Sequence, residues 1–267
     1  DDLFSNEGFI SPIDVMSEEE ALGFKQRLEA AEHDYPDEVN AHNRNNAHLS
    51  LAFLDELAHH PIVTGAVQDL MGASVSLWGS VLFIKDPGTV GYVSWHQDAT
   101  YMGLKPHDFV TPWIALTHSN RTNGCMSMIP GSHVDHIRPH DDTYAPDNIL
   151  TRGQTVQNVD ASIAVDLILK PGQMSLHHAE IIHGSQPNLG EERRIGFALQ
   201  SYAPPHVRQT LGKNYWLPVG DATLPEGGVA VRRPQYDMDP RGVEERLKIN
   251  ENFSDILYHD AEQRRAY

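Results

Sequence analysis

The sequence has almost no cysteine: Cys125 is the single one in 267 residues. No internal disulfide can form, so stability must come from a packed core, and a reducing compartment is favoured. Inside "TNGCMSMIPGSH" this thiol reads as a small buried hydrophobe rather than a nucleophile. Basic residues are also scarce, 20 Lys and Arg against 37 Asp and Glu, a net charge of −17. Such a surface repels phosphate backbones and anionic head groups, which argues against nucleic acid and membrane partners. No apolar run approaches the length of a membrane span and no apolar signal-like stretch opens the chain, so the expected location is cytoplasmic. A glycine-rich strand–helix turn is missing too, which excludes a dinucleotide-binding architecture.

What is present is patterned in two ways. Ser17 and Glu20 have the spacing of a capping box, and Phe24, Leu28 and Ala31 follow at helical intervals. A second helix is predicted over 49–58, and a third from Pro61 to a stop at Gly72. From Ser74 the chain becomes rich in β-branched and aromatic residues, with strands predicted within 74–88 and over 111–118, 125–129, 162–169, 173–177 and 194–202. The segment 134–160 is polar and aperiodic, which suggests a lid. The tail from Pro240 to Tyr267 reads as one charged helix. Helices followed by short strands predict a mainly β fold with flanking helices, a sandwich or jelly roll. The chain reads as one domain over 1–267: a helical part to about 73, a β core over about 74–205 and an extension over about 206–267.

The chemistry starts in "WHQD". His96 and Asp98 are two apart, so on extended backbone they face one side and offer two ligands to a divalent metal. A third would complete a facial triad with an open face for substrate and oxygen. His177, His178 and His183 are the candidates. Arg194 opens an alternating apolar strand and needs a partner, which a dicarboxylate would supply through bidentate hydrogen bonds.

The segments "WHQD", "WIALTHSNRTNGCMSMIPGSH" and "HGSQPNLGEERRIG" together resemble the phytanoyl-CoA dioxygenase (PhyH) family of Fe(II)/2-oxoglutarate oxygenases, over residues 8 to about 205. Within it the chain is most similar to the bacterial branch with amino-acyl chlorinating enzymes. The resemblance implies a double-stranded β-helix, the cupin-like jelly roll. It implies His96, Asp98 and His183 as catalytic iron ligands, Arg194 and Ser185 as the clamp on 2-oxoglutarate, and Trp113 as a wall of that pocket. Fe(II), 2-oxoglutarate and O2 would be cofactor and co-substrates. The halogenating relatives carry a small residue where this chain has Asp98, so hydroxylation is expected.

The expected substrate is a small polar or amine-bearing molecule such as a free amino acid, aminophosphonate or osmolyte. The alternatives are a carrier-tethered aminoacyl or acyl-CoA substrate, and a non-catalytic cupin-like metal-binding protein. Oligomeric state is not legible. Gln97, Asn120 and Asn188 are candidate hydrogen-bond partners for the histidine ligands, and Thr100, Tyr101, Gln200 and Tyr202 are candidate pocket residues.

Overall fold

A computed structural model describes residues 2–265. Eight strands form its centre: β2 (Val81–Lys85), β3 (Val93–His96), β4 (Val110–Ala115), β5 (Met126–Met128), β6 (Val165–Asp166), β7 (Gln173–His178), β8 (His183–Ser185) and β9 (Arg194–Ala198); β1 (Phe9–Asp14) precedes them. The larger sheet contains β1-β7-β4-β9-β2, and the smaller has the order β6-β5-β8-β3. All these pairings are antiparallel. Strands β2 to β9 pass back and forth between the sheets, with β5 and β6 paired in the smaller one, in the connectivity of a double-stranded β-helix. Short strands at Tyr202–Ala203, Ser76–Leu77 and Tyr215–Pro218 extend the larger sheet.

Alternation along each strand decides which side chains meet helices and which face the sandwich interior. In β4, Val110 and Ile114 join the core beneath the helices, while Trp113 and Ala115 point inward. In β9, Ile195 and Phe197 take the helical side, leaving Arg194, Gly196 and Ala198 within. In β2, Leu82 and Ile84 do the same and leave Phe83 and Lys85 within. Each fully buried Leu, Ile or Phe on the helical side contributes ~1.5–3 kcal/mol of burial. Parity therefore holds the sheet under the helices and delivers two cations to its inner face.

A six-residue helix, Asp2–Glu7, precedes β1, and the longer helices are α1 (Glu18–Asp34), α2 (Ala52–Ala58), α3 (Pro61–Met71) and α4 (Pro240–Leu257). The capping box forms: Ser17 Oγ accepts from Glu20 N at 3.2 Å and Glu20 Oε2 accepts from Ser17 N at 2.8 Å. Leu28 and Ala31 bury against the core with Phe24 beside them. Pro61 opens α3 and Gly72 caps it. No helix of the described residues is long and apolar enough to cross a membrane.

Several elements differ from the sequence reading. Residues 9–14, placed in the helical part, form the strand β1 against β7. The segment 134–160 contains a hairpin, His140–Asp142 with Gln154–Val156. The tail helix ends at Leu257, and Tyr267 lies outside the described residues. That helix is docked rather than merely charged: Arg246, Ile249, Phe253 and Ile256 are buried. Arg246 donates to the carbonyls of Glu38, Asn43 and Asn45 at 2.8–3.0 Å.

Gly196 allows the Trp113 ring to lie across β9. A Cβ there would stand 1.8 Å from Trp113 Cζ2. Overpacking a rigid aromatic in a sheet interior is destabilising. Gly196→Ala is expected to lower stability by about 1–3 kcal/mol in denaturant-induced unfolding; an unchanged midpoint would show that the ring moves freely.

Candidate metal centre

His183 on β8 stands opposite His96 on β3 in the antiparallel register. Their rings lie 4.1 Å apart, centroid to centroid. Asp98 arrives differently from the expected continuous strand. Gln97 is extended (φ −124°, ψ 125°), and Asp98 begins a single 3-10 turn ending at Thr100. The result still brings the three groups together: one ligand atom from each of His96, Asp98 and His183 lies within 4.8 Å of the others. Asp98 Oδ1 is 3.3 Å from His96 Nε2 and 3.7 Å from His183 Nε2. All three residues are buried.

The remaining ring nitrogens fix what these imidazoles can do. His96 Nδ1 lies 2.9 Å from Ser94 O, and His183 Nδ1 lies 3.1 Å from Ile181 O. A carbonyl only accepts, so Nδ1 carries a proton in both rings and Nε2 is the nitrogen left to face a metal. That is the arrangement a metal ligand requires. The partners are backbone carbonyls two residues upstream, not the side chains expected. Gln97 instead braces the neighbouring loop by donating to His136 O and Glu180 O. Asn188 donates to Lys85 O, and Asn120 organises its own turn by accepting from Thr122 N and Asn123 N.

The carboxylate is held from two further sides. Tyr101 donates its hydroxyl to Asp98 Oδ1 at 3.0 Å, and His177 Nε2 is 3.4 Å from Oδ2. Burial alone would raise the Asp98 pKa, but His183, His177 and His96 together hold it well below the usual carboxylate range. Burial pushes His183 well down, aided by His96. The group is thus an anionic oxygen beside two imidazole Nε2 atoms, a donor set suited to a divalent first-row metal. His178 faces away, packing against Phe4 and His133. Thr100 points to His140, and Tyr202 donates to Ala58 O beneath the helices.

Ser185, Arg194 and Trp113 line the same cavity as the three metal-type ligands. Arg194 donates to Gly124 O at 2.6 Å and lies 5.3 Å from the Trp113 ring centre. Its Nε is buried without a partner. The residue that sequence reading missed is Lys85. It stands directly opposite Arg194 across the β2–β9 ladder. Its amine donates to Ser185 Oγ at 2.7 Å and to Gln186 O. Lys85 is 1% exposed and Arg194 2% exposed. No carboxylate of the described residues pairs with either within 4 Å. Burial, reinforced by Arg194, pushes Lys85 down to about 6, and burial brings Arg194 down to about 10. Two buried basic side chains without a counter-charge, one of them with its charged form disfavoured, mark a pocket completed by an anion. Lys85 could have been found from its parity, since it shares the face of Phe83 in "VLFIK". Cys125 is 4% exposed and burial raises its thiol to about 11, as suits a packing residue.

Comparison with known proteins agrees with this architecture. Residues 4–196 match the phytanoyl-CoA dioxygenase (PhyH) family. A relative from Stutzerimonas stutzeri, named probable alpha-ketoglutarate-dependent hypophosphite dioxygenase, is 28% identical over 169 residues, covering 62% of this chain and 58% of its own. The chain spans about half the length of the other curated relatives it matches most strongly. Among solved structures, the non-heme monooxygenase ThoJ in its apo form superposes with a TM-score of 0.86 at 27% identity, over 96% of both chains. CytC3 with Fe(II) and alpha-ketoglutarate superposes with a TM-score of 0.58 at 25% identity, over 79% of each. With the family match covering most of the chain and its ligand-bearing strands, the protein belongs to the phytanoyl-CoA dioxygenase family.

Proposed function

We propose that this protein is an Fe(II)- and 2-oxoglutarate-dependent dioxygenase that hydroxylates an unactivated C–H bond of a small polar molecule. One observation carries the reading: three buried metal-type ligands share a cavity with Arg194 and with Ser185, to which the buried Lys85 amine donates, and neither basic side chain has a counter-charge. His96 Nε2, Asp98 and His183 Nε2 would hold the iron. Lys85, Arg194 and Ser185 would hold the far carboxylate of 2-oxoglutarate, with Trp113 as a wall. Bound iron supplies activation of O2: one oxygen atom goes to succinate as 2-oxoglutarate loses CO2, and the other goes to the substrate carbon.

The protein's own work is positional. Ser94 O and Ile181 O hold the imidazoles in one tautomer, while Tyr101 and His177 orient the carboxylate. Asp98 fills the position that a halide would need, which favours hydroxylation over halogenation. The amine-bearing compounds to test first are free amino acids, aminophosphonates and osmolyte-like molecules. CytC3, a solved relative at 25% identity, binds Fe(II) and alpha-ketoglutarate, which supports the cofactor assignment.

The test is succinate formation from 2-oxoglutarate with Fe(II) and O2 across those compounds, with product mass read in parallel. A productive compound should raise succinate above background and gain one oxygen atom. Asp98→Ala should return both signals to background; full activity in that variant would remove Asp98 from the site.

Lys85 generates a second expectation. Its free amine is pushed down to about 6, and a bound dianion would draw the proton back. Binding then takes up a proton once the pH exceeds that value, so 2-oxoglutarate affinity should weaken as pH rises above about 6. Lys85→Met should weaken binding about tenfold at low pH through loss of a charge-assisted bond, and flatten the pH dependence. The measurement is anaerobic titration of the visible Fe(II)–2-oxoglutarate charge-transfer band. A variant with unaltered pH dependence would separate Lys85 from the co-substrate.

A further inference from the structure

A second cavity, about 330 Å3 in volume, adjoins the metal pocket. Phe83 and Gln200 line both. Tyr101, which donates to Asp98, also lines it. Its outer wall is α4. Asn250, Phe253, Ser254, Leu257 and Tyr258 face it, and their spacing of three, one, three and one is a single helical stripe. The loop 41–45 lies on the same cavity, and α4 is tied to it. Arg246 donates to Asn43 O and Asn45 O, while Asn46 Nδ2 donates to Asn250 Oδ1 at 2.9 Å. The wall is therefore fixed, and it lies outside the residues that match the family.

The charge of this cavity runs against that of the protein. The chain carries 37 acidic residues, yet none of the described residues lining the cavity is Asp or Glu. Arg44 is the one Lys or Arg among them. It donates to Ile84 O at 2.9 Å, its Nε is buried without a partner, and no carboxylate of the described residues lies within 4 Å of it. The acids nearest its field are already engaged: Arg193 takes both oxygens of Glu32 at 2.6 and 2.8 Å and Asp86 at 2.7 Å. A second donor, Gln154 Nε2, is likewise buried without a partner on this cavity. Leu82, Ile84, Leu150, Phe253 and Leu257 supply apolar lining to the same cavity.

We propose that this cavity is the substrate site, and that it takes a part-apolar molecule with an anionic head, a carboxylate, sulfonate or phosphonate, placed at Arg44. The reacting carbon lies at the Phe83 and Gln200 end, next to the metal centre. This rests on the oxygenase reading for its catalytic meaning and narrows the substrate class. A substrate of net positive charge finds no counter-charge in the lining, whereas acid-bearing compounds find a cation. The volume suits an organic molecule of drug-like size better than a lone inorganic ion.

The test uses paired fluorescent probes on the full chain, without turnover. 8-Anilinonaphthalene-1-sulfonate carries the apolar body and an anion; N-phenyl-1-naphthylamine carries the body alone. Arg44→Gln should weaken the sulfonate about tenfold and leave the neutral probe within about twofold, and Arg44→Lys should recover most of the loss. Ser254→Trp, which fills the α4 side, should weaken both. Equal loss of both probes in Arg44→Gln, or none, would overturn the anionic assignment. Undiminished binding of both to a folded Ser254→Trp protein would place the probes elsewhere and overturn the site. If Ser254→Trp does not fold, the Arg44 pair still decides the charge. Failure of the oxygenase reading would show separately, as absence of the Fe(II)–2-oxoglutarate band in the unsubstituted protein.

Discussion

The pairing of His183 with His96 across β8 and β3 is the constraint on which the site depends. Side chains on a strand change face with every residue, so a slip of one position would turn an imidazole out of the sandwich. Register alone leaves the rings free to rotate. The bonds to Ser94 O and Ile181 O remove that freedom and leave Nε2 as the nitrogen that faces Asp98. Asp98 then needs no long-range pairing of its own. It follows His96 by an extended residue and a single turn, and Tyr101 in the next positions restrains it. Three buried polar groups that would be costly apart are thus held by local backbone geometry on one side and a sheet register on the other.

The same register logic explains the cations. Lys85 and Arg194 are cross-strand partners on the inner face of the larger sheet, with helices covering the opposite face. Burial and the facing Arg194 disfavour the charged form of Lys85, and the arrangement gives the pair carbonyl and hydroxyl acceptors but no anion. A protein of net charge −17 does not attract an anion at long range. At physiological ionic strength the Debye length is about 8 Å, so the exposed acids are largely screened and the buried cations act at contact. An acidic exterior is therefore compatible with anion-binding interior pockets.

Much of this was legible in the sequence, for identifiable reasons. The capping box at Ser17 and Glu20 and the Pro61-to-Gly72 helix are local signals that tertiary packing did not override. The fold and the grouping of His96, Asp98, His183, Arg194, Ser185 and Trp113 followed from motif resemblance, and the structure brings all six to one cavity. Other features depend on pairing that spacing does not state. His177 meets Asp98 only because β7 lies beside β4. The Nδ1 partners are backbone carbonyls and leave no trace in residue identity. Lys85 was hidden in plain view, because a lysine ending an apolar strand ordinarily reaches solvent.

The tail helix shows why charge is a poor guide to exposure. Its sequence is rich in Arg, Glu and Lys, yet Ile249, Phe253 and Ile256 form a buried stripe, and Arg246 is buried because three carbonyls receive it. The stripe at Asn250, Phe253, Ser254 and Leu257 turns toward the cavity beside the metal pocket. The result is a division along the chain. Strands within the family match, and the turn that follows β3, supply the metal-type ligands and the paired basic side chains. A helix beyond that match, joined to the loop 41–45, walls the adjoining space, and substitutions on its cavity stripe can reshape that space without touching a sheet register. If that space is the substrate site, the two tasks are physically separate, and its shape can change while the metal-type ligands stay as they are.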